Sequence, residues 1–487
     1  MGVIPLQDYR NDLLILGNMC LNHCEYEVAM TYFEVALKII HSGDANDALG
    51  KAKLYFLVGT THKCKGNFEQ AKNYHTHALD IHLKQLGPEH VYVAASYNNL
   101  GTVYSDLGNF QKAKENHARA PDIYLKQLEP EHVDVAASYN NLAWVLYSDL
   151  GDFQQAKYYL VRALDIRLKQ LGPEHVVVAD SYNNLGTVYS DLGYFQQAKD
   201  NYVRALDIRL KQLGPEHVDV AASCNNLGTV YSDLGYFQRA KDNHARALEI
   251  YPKQLGPEHV DVAASYNNLG TVFSDLGDFQ KEKDYHARAL DIRVKQLGPK
   301  YIDVAASYNN LGTVYRNLSD LQKAKHNHVR ALDIRVKQLG PEHLGSEHGN
   351  VASSYNNLGT VYSDLVDFQQ AKYYHTRALD IRLKQLGPEH VDVADSFNNL
   401  GTLYRNVSDF QQAMDYHVLA LDICLKQFGR NHLKVGETYE NIGDAHNDQG
   451  HDEEAKRNYD HALAICVRNL GSGHVKVRII QNKLAQL

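Results

Sequence analysis

The sequence predicts an all-α solenoid of about eleven stacked helical hairpins, and three observations carry that prediction. The phrase SYNNLGTVYSDLGDFQQAK returns along the chain with small variations, mostly at a spacing of 42 residues. Within each copy the apolar residues fall at i, i+3, i+4 and i+7, the stripe of an amphipathic helix. Gly and Gly-Pro punctuate the copies at fixed places, as they do where helices stop and turn. The 487 residues would suggest roughly three domains by length alone. Stacked repeats instead share one continuous core, so that division does not apply.

Aligned on the Gly of NNLG, the copies place Gly17, Gly59, Gly101, Gly186, Gly228, Gly270, Gly312, Gly359, Gly401 and Gly443 in one slot, which Ala143 fills once. One residue is inserted near Leu146 and five around Leu344 to His348. After a lead-in over residues 1–9, the boundaries fall near 10–51, 52–93, 94–135, 136–178, 179–220, 221–262, 263–304, 305–351, 352–393, 394–435 and 436–473, with a capping helix over 474–487.

In the copy around Gly101, the first helix is expected to start near Pro88, whose missing N–H suits a first turn. It runs to Leu107 with Tyr97, Leu100, Gly101 and Tyr104 on one stripe. Gly108 stops it, and Asn109 caps the second helix. In the fourth copy, Asp152 to Gln155 reads as a capping box. The second helix turns Ala113, His117, Ala120, Ile123 and Leu125 inward and ends at a Gly-Pro junction. Neither helix can bury its stripe alone, so each hairpin needs its neighbours.

Numbering each copy so that the aligned Gly takes slot 8, slots 4, 7, 8 and 11 hold Tyr97, Leu100, Gly101 and Tyr104, and slots 20, 24 and 27 hold Ala113, His117 and Ala120. This resembles the tetratricopeptide repeat signature, with His in slot 24 where that family usually has Phe. The longer 42-residue form, with its LGPEHVDVA connector, resembles the repeats of kinesin light chains and nephrocystin-3-type proteins. The resemblance implies a right-handed superhelix whose first helices line a concave groove. A kinesin light chain carries a heptad coiled coil before its repeats. Here the first copy begins by about Asn11 without one, which argues against partnership with a kinesin heavy chain.

Composition narrows the function. The formal charge is −8, with 44% hydrophobic and 22% charged residues. That balance argues against a general nucleic-acid or anionic-membrane surface. No apolar run is long enough for a membrane span. The six cysteines are scattered and no secretory signal is visible, so reduced thiols and a cytoplasmic location are expected. No phosphate-binding loop, HExxH or GxSxG occurs, so no catalytic residue, cofactor or metal is expected, and the chain reads as a non-enzyme.

The candidate binding residues form a second stripe on the first helices. Asn in slot 6 recurs as Asn99, Asn141, Asn184, Asn226, Asn268, Asn310, Asn357, Asn399 and Asn441. In related proteins such a ladder holds the backbone of an extended peptide. An amide both donates and accepts, so it can match a peptide group whatever the side chain. A solvated polar stripe multiplied by duplication is the alternative, because copies five and six differ at only seven of 42 positions. Thr229 and Thr271 extend the stripe, and Asp233 and Asp275, with Asp106, Asp191 and Asp364, make it acidic. The expected partners are therefore other proteins, bound through extended neutral or basic segments, with self-association as a further expectation. Two other readings stand beside the adaptor: a sensor segment of a larger nucleotide-binding protein, and a self-assembling structural solenoid.

Histidines fall in two columns. One is slot 24, expected to pack like the aromatic it replaces, and the other is the connector, from His90 to His474. Stacked repeats hold such residues too far apart to share a zinc ion. Four flaws are expected to show. Pro121 should kink or break its helix, Glu129 replaces the connector Gly of the same copy, Pro252 should shorten its own helix, and Leu344 to His348 should bulge as a loop. Asp200–Arg204 and Asp207–Lys211 are expected as i, i+4 pairs on a solvated face.

Overall fold

The computed structural model describes residues 6–42, 47–148, 150–339 and 347–487, and among these are twenty-three α-helices and no strand. The chain divides into two compact units, Met1–Gly172 and Pro173–Leu487. The first holds α1 (Leu6–Asn22), α2 (Tyr26–Ser42), α3 (Ala48–Cys64), α4 (Phe68–Leu86), α5 (Val91–Asp106), α6 (Phe110–Gln127), α7 (Val133–Ser148) and α8 (Phe153–Leu171). The second holds α9 (Val176–Asp191), α10 (Phe195–Leu213), α11 (Val218–Asp233), α12 (Phe237–Leu255), α13 (Val260–Asp275), α14 (Phe279–Leu297), α15 (Ile302–Asn317) and α16 (Leu321–Leu339). It continues with α17 (Glu347–Asp364), α18 (Phe368–Leu386), α19 (Val391–Asn406), α20 (Phe410–Phe428), α21 (Leu433–Asp448), α22 (Asp452–Leu470) and α23 (Val475–Leu484). Within each unit, every odd helix packs chiefly on the even helix that follows it, and that helix packs on the next hairpin. This is the α-solenoid that the 42-residue period called for.

Each hairpin closes on one contact. A Cβ added to Gly228 would lie 2.7 Å from the His244 ring, and one added to Gly186 would lie 2.7 Å from Tyr202. Only Gly, or Ala143 against the slimmer Leu160, lets the slot-24 side chain pass so close to the first helix. The slot-24 histidines do occupy the aromatic's place, and His75, His117, His244, His286, His328, His375 and His417 are all buried. A fully buried Ala fills slot 20 in ten hairpins, from Ala29 to Ala455. The exception is Glu282, only 3% exposed.

Helix starts differ from the sequence expectation. Pro88 lies in the turn, and α5 begins at Val91 with His90 as its N-cap. The His90 Nδ1 accepts the Tyr92 N–H at 3.1 Å. His175, His217, His259, His390, His432 and His474 cap their helices in the same way. The Nδ1 atoms of these connector histidines thus accept otherwise orphaned backbone donors. Asn109 and Asp152 cap as expected. The reciprocal bond of the Asp152 box runs from Gln155 Nε2 to the Asp152 carboxylate at 2.6 Å, side chain to side chain.

The flaws are milder than expected. Pro121 neither breaks nor ends its helix, since α6 runs on to Gln127. Ala120, Pro121, Ile123 and Tyr124 are all buried, so packing holds the helix across the missing bond. Glu129 has a clearer effect. Its counterpart Gly87 sits at φ +83°, a conformation that favours Gly. With Glu129 there, the cap falls one residue earlier, on the extended Leu128. Pro252 does not shorten α12, which keeps its 19 residues because the Pro252 carbonyl still accepts the Gly256 N–H. Of the Leu344–His348 insertion, Glu347 and His348 lie in α17, and the remainder is outside the described residues. The expected i, i+4 pairs are replaced by longer reaches. Arg204 lies over the Tyr182 ring, and Lys211 pairs with Glu174 at 3.1 Å.

Four turns place a non-Gly residue at positive φ where the remaining hairpins have Gly: Cys24, Ser319, Val366 and Ser408. Val366, at φ +61° and 69% exposed, is the β-branched one. A left-handed β-branched residue costs on the order of 1–2 kcal/mol. Val366→Gly should therefore raise the unfolding free energy by about 1 kcal/mol in denaturant melts, and no change would mean the turn is relaxed.

Candidate functional site

The slot-6 asparagines lie on the first helices, and all nine are half-buried. In unit one, Asn99 donates to the Ala95 carbonyl of its own helix at 2.7 Å, and Asn141 lies at the same place on α7. In unit two, Asn226 Nδ2 donates to Asn183 Oδ1 of the preceding hairpin at 2.8 Å, and Asn310 donates likewise to Asn267. These two rungs therefore tie repeats together, a use the sequence reading did not assign. Asn184, Asn357, Asn399 and Asn441 take the same slot on α9, α17, α19 and α21.

The neighbouring slot-5 asparagines face inward. Asn98, Asn225, Asn267, Asn356 and Asn398 each accept a hydrogen bond from the Nδ1–H of the slot-24 histidine of their own hairpin, at 3.0–3.2 Å. Burial lowers the pKa of these histidines to about 4, so the rings are neutral at pH 7.

Five predicted residues come together. Thr229, Asp233, Asn268, Thr271 and Asp275 line a cavity of about 660 Å³ in unit two, within the size range of ligand clefts. Thr229 and Thr271 turn their hydroxyls to Asn225 and Asn267 carbonyls of their own helices. Asp191 joins them, so three carboxylates stand one repeat apart on the ends of α9, α11 and α13. Asp233 on α11 and Asp275 on α13 accept hydrogen bonds from Ser190 on α9 and Ser232 on α11, the first helices of the preceding hairpins. Burial first, then the charges of Asp275 and Asp191, raise the Asp233 pKa to about 7. Burial raises that of Asp275 as well, with His474 and the Ser232 bond opposing.

Elsewhere the acidic stripe is neutralised. Asp364 pairs with Arg316, Asp444 with Arg405 at 2.9 Å, Asp395 with Lys434 at 2.7 Å, and Asp180 with Arg209 at 2.7 Å. Three of the stripe's aspartates, Asp191, Asp233 and Asp275, gather at the cavity. Its far wall was missed by the sequence reading. His432, Lys434 and Glu437 from the start of α21, and His474 and Lys476 from the start of α23, complete the lining. Lys434 is paired with Asp395 and Lys476 with Glu437, so neither cation is aimed solely at the aspartates. Among the described residues no group of His, Cys, Asp and Glu could hold a metal ion, and no helix is long and apolar enough to cross a membrane.

A polar face built from repeated first helices defines a protein-interaction scaffold of the helical-repeat class. The tetratricopeptide repeat profile matches residues 50–126, 92–169, 146–211, 177–253, 219–294, 283–337, 303–384, 350–426 and 392–466, and the chain belongs to that family. Among solved structures it is similar to BtubC (BKLC) from P. vanneervenii, at 28% identity over 48% of this chain and 92% of that one, with a TM-score of 0.40. It is also similar to a putative kinesin light chain of Podosopora anserina with nearly identical repeats, at 28% identity over 42% and 98% of the two chains, with a TM-score of 0.38. A Rap protein complexed with competence and sporulation factor shares the fold at 14% identity, covering 78% of this chain and 99% of that one, with a TM-score of 0.51. No curated protein matches.

Proposed function

We propose that the chain is an adaptor that holds an extended, neutral-to-basic peptide segment on the first-helix face of its second unit. The observation that carries this reading is the cavity where Asp191, Asp233 and Asp275 stand together beside Asn268, Thr229 and Thr271. A cationic ligand would relieve the crowding that lifts the Asp233 pKa to about 7. The amide and hydroxyls would meet its backbone. The remaining slot-6 asparagines, Asn184, Asn226, Asn310, Asn357, Asn399 and Asn441, extend the same stripe along the unit.

The test uses Asp233→Asn with Asp275→Asn, because replacing Asn226 or Asn310 would also cut bonds between repeats. Asp233 has its pKa raised in the folded state, so its ionisation destabilises the fold as pH rises from 3.8 through about 7. The double variant should thus be at least as stable as the wild type at pH 8, and any loss of binding is not a loss of fold. Lys- and Arg-containing peptides should bind the wild type and weaken about tenfold or more on the variant. Calorimetry in buffers of different ionisation enthalpy should show proton release on binding near pH 7. Equal affinity for basic and acidic peptides, unchanged in the variant, would refute the proposal.

A further inference from the structure

Residues nearly half the chain apart close the second unit on itself. His432 Nε2–H donates to the Asp191 carbonyl at 3.0 Å, across a separation of 241 residues. The His432 ring stacks on Phe428 at 3.9 Å between centroids, and its edge lies 3.0 Å from where a Cβ on Gly193 would sit. One repeat further on, the same contact recurs: the His474 ring lies 2.6 Å from the Cβ position of Gly235. Gly193 and Gly235 both have positive φ, which favours Gly, and their open Cβ side is what admits the ring. The equivalent turn at Gly277 has nothing within 4 Å. The connectors before α21 and α23 thus rest on the hairpin turns after α9 and α11.

In a solenoid, hairpin turns and connectors form opposite edges of the first-helix face. Where they touch, at Gly193 and Gly235, the wall of one superhelical turn meets the wall of the next and narrows the sideways approach, while the turn at Gly277 stays open. The cavity of about 660 Å³ lies at this seam. Beside these two contacts, a chain reaches Asp191 and Asp233 by running in along the face, end first. The end that fits is set by charge. A terminal carboxylate would meet Asp191, Asp233 and Asp275, whereas a terminal ammonium would be drawn to them.

We propose that this seam selects the free amino-terminal end of an extended polypeptide, excluding loops and segments flanked on both sides by folded structure. The inference rests on the peptide-binding reading above and adds which peptides are admitted.

Two measurements on the full chain separate the claims. The first is hydrogen exchange. The turns at residues 191–194 and 233–236 should exchange more slowly than the turn at 275–278. His432→Ala with His474→Ala should abolish that protection. His217→Ala with His259→Ala removes two equivalent helix caps without touching the seam, and should leave the protection intact. Loss in both variants, or no protection in the wild type, overturns the closure. The second measurement uses short Lys- and Arg-containing peptides. Acetylating the amino terminus should weaken binding about tenfold. Amidating the carboxyl terminus should not. A peptide fused between two folded domains should bind only the His432→Ala, His474→Ala variant. If acetylated or flanked peptides bind the wild type as well as free ones, the selection for a free amino end is wrong while peptide binding stands. If no free peptide binds although the turns are protected, both the peptide reading and this selection fail and the closure alone survives.

Discussion

Lowering the pH from 7 to 4 is expected to unfold most of the array, through seven buried histidines. His75, His117, His244, His286, His328, His375 and His417 have pKa values lowered to about 4, by burial above all. In the unfolded chain such groups titrate near 6.5. Between pH 6.5 and about 4 the unfolded state therefore binds protons that the folded state does not. Stability present at neutral pH is lost as pH falls through that window. Each ring contributes roughly 3 kcal/mol to the loss, an order-of-magnitude figure from about 1.4 kcal/mol per pKa unit. The exposed Lys–Glu rungs, such as Lys253–Glu216 at 3.3 Å, add little. Because repeats couple mainly to their neighbours, the loss should be spread over several steps rather than one. The hairpins with Phe33, Leu160, Tyr202 and Tyr459 in the same slot should be the last to go.

The chain contains its own control. The hairpins of α9–α10 and α11–α12 are near copies, yet one holds Tyr202 against Gly186 and the other His244 against Gly228. Tyr202 also donates to or accepts from the Thr187 hydroxyl at 3.0 Å, and Thr229 stands ready in the same slot beside His244. His244→Tyr combined with His286→Tyr should therefore fold and resist acid over those hairpins. Circular dichroism at 222 nm should show helicity retained to lower pH. An unchanged acid transition would mean that carboxylate pairs, not the rings, set it.

Much of this was legible in the sequence because a repeat displays its own rules. Eleven copies of one pattern expose which slots are apolar, which are Gly and which are His, so the hairpins and the aromatic role of slot 24 follow directly. The helix starts were less clear, because Pro88 has the chemistry of a first turn and His90 is not a common cap. Only the geometry shows the imidazole accepting the Tyr92 N–H. The far wall of the cavity had no signal at all. His432 looks like any other connector His, and nothing local ties it to Gly193. That pairing is set by the accumulated rotation of the repeats between them, which no single copy encodes.

Glu282→Ala should give the largest stabilisation of any single substitution in the chain. Ten hairpins place a fully buried Ala in this slot, and here a carboxylate is packed instead, 3% exposed. Hydrogen bonds from Ser274 and Asn317 reach it, but Oε2 has no partner, and His286 Nε2 stands 3.9 Å from Oε1 on a ring that burial keeps neutral. Burial raises the Glu282 pKa above 4.5, with Asp275 adding to the effect. A raised carboxylate destabilises the fold as pH rises past its unfolded value, since the unfolded chain then ionises more readily. Replacing it with Ala removes an incompletely satisfied buried group, worth about 2–3 kcal/mol, less what is lost to the vacated space. The gain should be greatest near pH 8 and shrink as pH falls below 4.5, where the acid becomes neutral in both states. Glu282→Gln keeps the shape and should recover only part of it. Urea melts of the three proteins at pH 8 and pH 6 decide the matter. An Ala variant no more stable than wild type at pH 8 would mean that the buried carboxylate is fully compensated where it stands.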